Sequence, residues 1–365
     1  METTYDTIVA LLRPSGDGIE GLFRSSSFLT YGVGLFILAL IFRRNGNKAK
    51  CLDMDGVPMK ELSVSPKAAV LFKPQISKQG ERLAHDEPYI IRDGNYREVV
   101  LHTPEHVREL LRNDSKGMAN FLNIPYGEQW RVIRSYFDPA YTHSTGLAML
   151  PAFQNEVAGW LNTLKNDSLR AGYLQTIDEM LFTNIEVTGS ILTFMLTQLA
   201  KHQDFQQRLY EEIMAQKTEE GFEVRNYVTR QTTLLHYLTL ESVRLRPATW
   251  FSAPECITID KVIGRYKLPA KTPVVIDVRR LNTNALTWGP DGTEFRPERF
   301  ASLSPNEYRY GYMRFGVVSG KCLGKHMADL LMKVAMITIL EQYRIEEVEM
   351  NIGVKDGDLA FIKRK

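Results

Sequence analysis

"RFGVVSGKCLGKHMADLLMK", residues 314–333, sets Cys322 between glycines, directly ahead of an apolar run with helical spacing. What that sulphur does decides the reading of the chain. It is a buried filler, half of a disulfide, one ligand of a zinc site, or the axial ligand of a metal-bearing prosthetic group. A thiol at a helix N-terminus meets free backbone N–H groups and the positive end of the macrodipole, which favour the thiolate. Gly320 and Gly324 let the loop backbone approach a flat partner closely. Alone, the stretch fits a buried structural cysteine at least as well.

The other cysteines narrow the choice. The 365 residues hold 3 cysteines, Cys51, Cys256 and Cys322. They are far apart and odd in number, which fits neither a disulfide framework nor a CxxC zinc site and implies a reducing compartment. A hydrophobic content of 44% supports a real core, while 45 basic against 43 acidic residues leave a net charge of +2. No general attraction to nucleic acid is written there, so no nucleic-acid partner is expected. There is no GxGxxG, Walker loop, HExxH or GxSxG, which removes the usual handles for nucleotide, zinc-protease and hydrolase chemistry.

Residues 25–42, "SSSFLTYGVGLFILALIF", carry no charge and are fenced by Arg24 and by Arg43 and Arg44. The run is just long enough to span a bilayer. Acidic residues before it and "FRRNGNKAK" after it do not resemble a cleaved signal, so a retained single-pass anchor is expected. Positive charge is richer after the span, which places residues 1–24 in the lumen, the main body in the cytosol and the protein in the endoplasmic reticulum membrane. The lipid bilayer is therefore an expected partner. Cys51, close behind the span, is a free thiol or an acylation site.

Residues 43–87, broken by Gly56, Pro58, Pro66 and Pro74, read as a linker that becomes structured toward its end. "YIIRDGNYREVVLHTPEHVRELLRN" from residue 89 reads as a hairpin about Asp93 and Gly94, then a helix capped by Thr103 with Pro104 in its first position. From residue 127 to 246 the spacing is helical, in "GEQWRVIRSYF", "MLPAFQNEVAGWLNTLKN", "LQTIDEMLFTNIEVTGSILTFMLTQLAKH", "DFQQRLYEEIMAQ" and "LLHYLTLESVRLRP". Short strands, "CITID" and "TPVVIDV", and the turn-rich "WGPDGTEFRPERF" follow. The cysteine loop, a helix from about 323 to 342 and a β-like tail close the chain. The expected fold is mainly α with a small antiparallel β-sheet, one domain over 88–365.

"ESVR" puts Glu241 and Arg244 on one helical face, and "FRPERF" supplies Arg299 in a proline-bounded turn. Such i,i+3 pairs are usually solvated bridges of little worth. A hydrophobic host helix favours a buried network instead. The order ESVR, FRPERF, then a Phe-Gly loop with Cys322 and Gly324, is similar to the cytochrome P-450 superfamily of haem-thiolate monooxygenases. "GEQWRVIRSYFDP" (127–139) resembles that family's haem-contacting helix. The resemblance runs from about residue 88 to the C-terminus. It implies Cys322 as axial ligand of a haem b (iron protoporphyrin IX), in a loop carrying Phe315 and Gly324. It further implies Glu241, Arg244 and Arg299 as a structural triad, and Trp130 with Arg134 as partners of a haem propionate. A small-molecule substrate and a membrane-bound NADPH-dependent flavin reductase are the implied partners. "LFTNIEVTGSIL" and "SGKCLGK" resemble a fungal group from pathways to cyclic-dipeptide and related toxins. That implies hydroxylation or oxidative coupling of a small organic intermediate in mycotoxin biosynthesis.

The chain departs from the family pattern in three places. The family's oxygen-side helix carries an acid followed by threonine; here Glu186 is followed by Val187, and the hydroxyl comes with Thr188. One residue is about 100° around a helix, so Thr188 takes a different direction and proton delivery is expected from Glu186, water or substrate. In the cysteine loop, Val318 stands where the family has glycine, and Gly320 where it has a basic residue. A valine is poorly suited to positive φ, so a strained or differently turned loop is expected. The stretch from Trp130 to Glu186 is too short for the helices that roof the family's pocket, which implies an internal deletion near 167–173. Two alternatives stay open: a catalytically impaired haem-binding membrane protein, and a same-fold enzyme of rearrangement or dehydration.

Overall fold

The run "EVVL" has no polar alternation in its last three residues because both faces of its strand are covered. Val99 and Leu101 enter one apolar cluster with Val274 and Ile276, while Val100 enters another with Val275 and Ile91. Alternate residues of a strand point to opposite faces, so a two-sided burial needs an unbroken apolar run.

The computed structural model describes residues 51–64, 74–94, 96–112, 118–119, 128–164, 185–218, 223–317, 321–348 and 359–364. Apart from Gly94 and Tyr96, these belong to one compact unit, Lys48–Asp93 with Arg97–Lys365. The expected membrane span and the expected deletion near 167–173 lie outside the described residues. Among the described residues no helix is long and apolar enough to cross a membrane.

The strands are β1 (Leu52–Asp53), β2 (Glu61–Ser63), β3 (Tyr89–Asp93), β4 (Tyr96–Leu101), β5 (Met118–Ala119), β6 (Glu255–Ile257), β7 (Lys261–Ile263), β8 (Tyr266–Leu268), β9 (Pro273–Ile276), β10 (Tyr343–Glu347) and β11 (Leu359–Lys363). The helices are α1 (Pro74–Ala84), α2 (Pro104–Leu111), α3 (Glu128–Phe137), α4 (His143–Ala148), α5 (Leu150–Leu164), α6 (Ile185–Lys201), α7 (Gln203–Thr218), α8 (Val224–Thr229), α9 (Leu234–Leu245), α10 (Val278–Asn282), α11 (Ala285–Trp288), α12 (Arg299–Ser302) and α13 (Lys325–Gln342). The protein is mostly helical with small sheets, as expected. Among the described residues the largest sheet holds six strands in the order β2-β3-β4-β9-β6-β5. This sheet is mixed: β2–β3 and β4–β9 are parallel pairs, alongside antiparallel β6–β9 and β5–β6. Parallel neighbours need a crossover, and α1 supplies it between β2 and β3. Thus the 43–87 segment, read as linker, contains β1, β2 and α1.

β3 and β4 are neighbours in this sheet, and Gly94, just after β3, takes a φ of 58°. Thr103 caps α2 by accepting the His106 N–H at 3.2 Å, with Pro104 at the helix start. Thr233 caps α9 in the same way, accepting the His236 N–H at 3.1 Å. The helical core joins α5, α6, α7, α9 and α13 through Leu161, Leu196, Leu209, Leu238, Met336 and Leu340, all fully buried. Each such side chain contributes about 1.5–3 kcal/mol. α13 runs directly into β10, which pairs antiparallel with β11. Gln206 fastens β10 to α7, its side chain exchanging two 2.8 Å hydrogen bonds with the Ile345 backbone.

Candidate active site

Glu241 and Arg244, one turn apart on α9, are fully buried and joined by two bonds, Arg244 Nε to Oε2 at 2.7 Å and Nη2 to Oε1 at 2.8 Å. Arg299, at the start of α12, reaches the same Oε1 from its Nε at 3.1 Å, and the Arg296 backbone N–H donates to it at 2.8 Å. The remaining guanidinium hydrogens meet carbonyls. Arg244 donates to Asn282 O at 2.9 Å, to Glu294 O at 3.1 Å and to Gly292 O. Arg299 donates to Trp288 O at 3.2 Å and Asp291 O at 3.1 Å. A buried charge is tolerable when its hydrogen-bonding capacity is filled, and here the network also pins the turn between α11 and α12. The Arg244 guanidinium lies 4.8 Å from the Trp288 ring centroid, in an aromatic cluster with Phe300, Tyr308 and Tyr312.

From this network a connected path leads to the cysteine. Asn282, whose carbonyl is held by Arg244, pairs its side chain with Met313 in both directions: Nδ2 donates to Met313 O at 2.9 Å, and Met313 N–H donates to Oδ1 at 2.8 Å. Two residues on, Phe315 O accepts the Cys322 N–H at 2.8 Å. Gly316 takes a positive φ, 82°. Val318 and Gly320, where a strained turn is expected, lie outside the described residues. From the other side, Arg134 on α3 donates Nη1 to Lys321 O at 2.8 Å and Nε to Asp138 at 2.8 Å. Arg134 and Cys322 thus belong to one region although they are far apart in sequence.

Cys322 is exposed and free, Cys256 is half-buried, and Cys51 is buried with its thiol pushed up to about 11 by burial. That makes Cys51 an apolar filler beneath β1 and unsuited to acylation. Gly324 caps α13; a Cβ there would stand 4.0 Å from Cys322 Sγ, in ordinary contact. Among the described residues no group of three or more His, Cys, Asp or Glu is placed to hold a metal ion. A single exposed sulphur on a braced loop, with a guanidinium tied to the same loop, does not offer zinc its tetrahedral ligand set. It fits a group bound through one axial sulphur and bearing carboxylates.

Thr188 is buried in the first turn of α6, with Glu186 in the same turn. The side chains of Glu186 and of Trp130 on α3 lie outside the described ones. Sequence reasoning missed Asn282 and Arg314. Asn282 sits in a short helix without amphipathic signal, and Arg314 carries no motif; its guanidinium lies 4.7 Å from the Phe315 ring centroid.

The Cytochrome P450 family profile matches residues 170–361. Among curated proteins, the chain is similar to the cytochrome P450 monooxygenase lepD of Aspergillus flavus, 29% identical over 405 residues covering 74% of this chain and 80% of lepD. It is also similar to the cytochrome P450 monooxygenase apdB of Emericella nidulans, 28% identical over 456 residues, 86% of this chain and 91% of apdB. A crystal structure of a cytochrome P450 superposes with a TM-score of 0.63 at 17% identity, over 87% of this chain and all of that one. That likeness concerns the fold. The profile match takes in the buried Glu–Arg network, its path to the loop and the exposed Cys322, and with them this chain belongs to the cytochrome P450 family and is an enzyme of the monooxygenase kind.

Proposed function

We propose that the protein is a membrane-anchored haem-thiolate monooxygenase that hydroxylates or oxidatively couples a small organic intermediate of fungal secondary metabolism. The observation that carries this reading is the continuous path from Glu241 through Arg244, Asn282, Met313 and Phe315 to an exposed Cys322 thiol. Family membership brings haem iron, an electron-donating partner and a small-molecule substrate; haem b and a membrane-bound NADPH-dependent flavin reductase are the finer assignments. When bound, the haem supplies the dioxygen chemistry, which a thiolate ligand biases toward O–O cleavage. Cys322 would hold the iron, Phe315 and Gly324 would shape its loop, and Arg134 with Trp130 would meet the carboxylates. Glu186 and Thr188 would hold or move protons. Residues 25–42 anchor the chain in the endoplasmic reticulum membrane, with residues 88–365 as the cytosolic catalytic domain.

The test is turnover with reductase, NADPH and labelled dioxygen on cyclic dipeptides and related amino-acid-derived compounds. Substrate-dependent gain of one labelled oxygen atom supports hydroxylation. An unlabelled product leaves oxidative coupling or moves the reading to rearrangement or dehydration. A second reading, haem binding without turnover, draws support from alignments of 405 and 456 residues, each longer than this 365-residue chain. Such gaps agree with a shortened middle, where the pocket roof belongs. An open distal side admits water and works against coupled oxygen activation.

A further inference from the structure

The segment that enters the cysteine loop carries an arginine whose partner carboxylate also meets a second basic side chain. Arg314 pairs with Asp329 on α13, whose other oxygen meets Lys333 Nζ at 3.0 Å. Lys333 is buried and also donates to Val228 O at 2.8 Å. One carboxylate therefore faces two cations, beside His236 on α9, which is held neutral with its pKa pushed down to about 3 by burial, then by Lys333 and Arg314. Asp329 is half-buried and shares its charge between the two, while burial and then Arg314 lower the Lys333 ammonium to about 7. Arg314 moreover keeps a buried Nε without a hydrogen-bond partner among the described residues. Leaving such a donor unmade is unfavourable, so the contact that places it lies elsewhere. That contact is the Phe315 ring, over which its planar guanidinium stacks. Phe315 is the residue whose carbonyl takes the Cys322 N–H at 2.8 Å.

We infer that Arg314 is a positioning residue for Cys322: gripped by Asp329 and stacked on Phe315, it fixes the carbonyl that sets the cysteine amide, and so the place of the sulphur. The inference rests on haem ligation by Cys322. Lys333 shares the same carboxylate but, among the described residues, bonds to nothing in the loop, which makes it a matched control.

The variants Arg314→Met and Lys333→Met each remove one cation and leave Asp329 with the other, so both keep one neutral ion pair. Two properties of the full chain are read: hydrogen exchange of the peptide spanning Cys322, and the shares of thiolate-type and neutral-ligand-type bands in the reduced, carbon monoxide-treated protein. Lys333→Met is expected to match the wild type. Arg314→Met is expected to lose amide protection at Cys322 and to move a several-fold larger share into the neutral-ligand band. Arg314→Lys, which restores the ion pair without the flat stack, falls between them. Equal behaviour of Arg314→Met and Lys333→Met overturns the inference. Should Arg314→Met not fold, Arg314→Lys decides in its place: equality with Lys333→Met overturns it, and lost protection upholds it. A wild type without a thiolate band sinks the haem reading, while the hydrogen-exchange comparison still decides the role of Arg314.

Discussion

Replacing Glu241 by glutamine tests the buried network at its central carboxylate. The side chain keeps its shape and loses its charge. Oε1 accepts from Arg244, Arg299 and the Arg296 backbone, and Oε2 accepts from Arg244 Nε. The amide must turn a donor toward one of these donor sets, and Arg244, fully buried, is left without a counter-ion. Removing one partner of a buried ion pair costs about 3–5 kcal/mol. Native stabilities are about 5–15 kcal/mol, so this is a large share. The expected fall in Tm is of the order of 10 °C. The matched control is Glu298→Gln, which cuts the Arg208–Glu298 pair, 2.6 Å long but exposed, with side-chain accessibilities of 49% and 38%. An exposed pair contributes at most about 1 kcal/mol. Urea unfolding followed by circular dichroism measures both. A Glu241→Gln loss no greater than that of Glu298→Gln would refute the claim that the network holds the turn.

Two further predictions concern the sheet region. Burial pushes His102 and His106 down to about 3 and 4, and His236 to about 3, so the native state keeps them neutral. The unfolded chain binds their protons below about pH 6.5, hence stability is complete above that value and declines as pH falls toward 4. Asp277, raised to about 6 by burial, opposes this between its ordinary value and 6, one group against three. Unfolding midpoints should therefore be lower at about pH 5 than at pH 7.5, with His102→Gln flattening the slope; an unchanged or reversed slope contradicts the burial argument. Gly80→Ala would ordinarily favour a helix by about 1 kcal/mol. Here a Cβ runs into the Tyr89 hydroxyl and into the ring carbons Cζ and Cε1 behind it, so a net loss of about 1–3 kcal/mol is expected, and adding Tyr89→Phe, which leaves those ring carbons in place, does not recover it. A stabilised Gly80→Ala in urea unfolding refutes the clash.

The helices were legible because their apolar spacing is strong: "DFQQRLYEEIMAQ" and "LLHYLTLESVRLRP" correspond to Gln203–Thr218 and Leu234–Leu245 within a few residues. α1 was not, since Pro74 reads as a breaker when it stands at a helix start, where its missing N–H is harmless. The parallel pairs β2–β3 and β4–β9 join segments separated by helices, and local alternation says nothing of such partners. At the site, ExxR spacing and the cysteine loop could be read directly. The links between them could not. Asn282, Arg314 and the Lys321 carbonyl act through partners brought together only by folding, and the Asp329–Lys333 pair looks from sequence like any solvated helix face.

The central claim is that Cys322 binds haem iron as a thiolate, and its most direct test is the absorbance spectrum of the purified protein after dithionite reduction under carbon monoxide. A strongly red-shifted Soret band, abolished by Cys322→Ser, is the predicted result. Absence of haem, or a band of the neutral-ligand type in the unaltered protein, would contradict it.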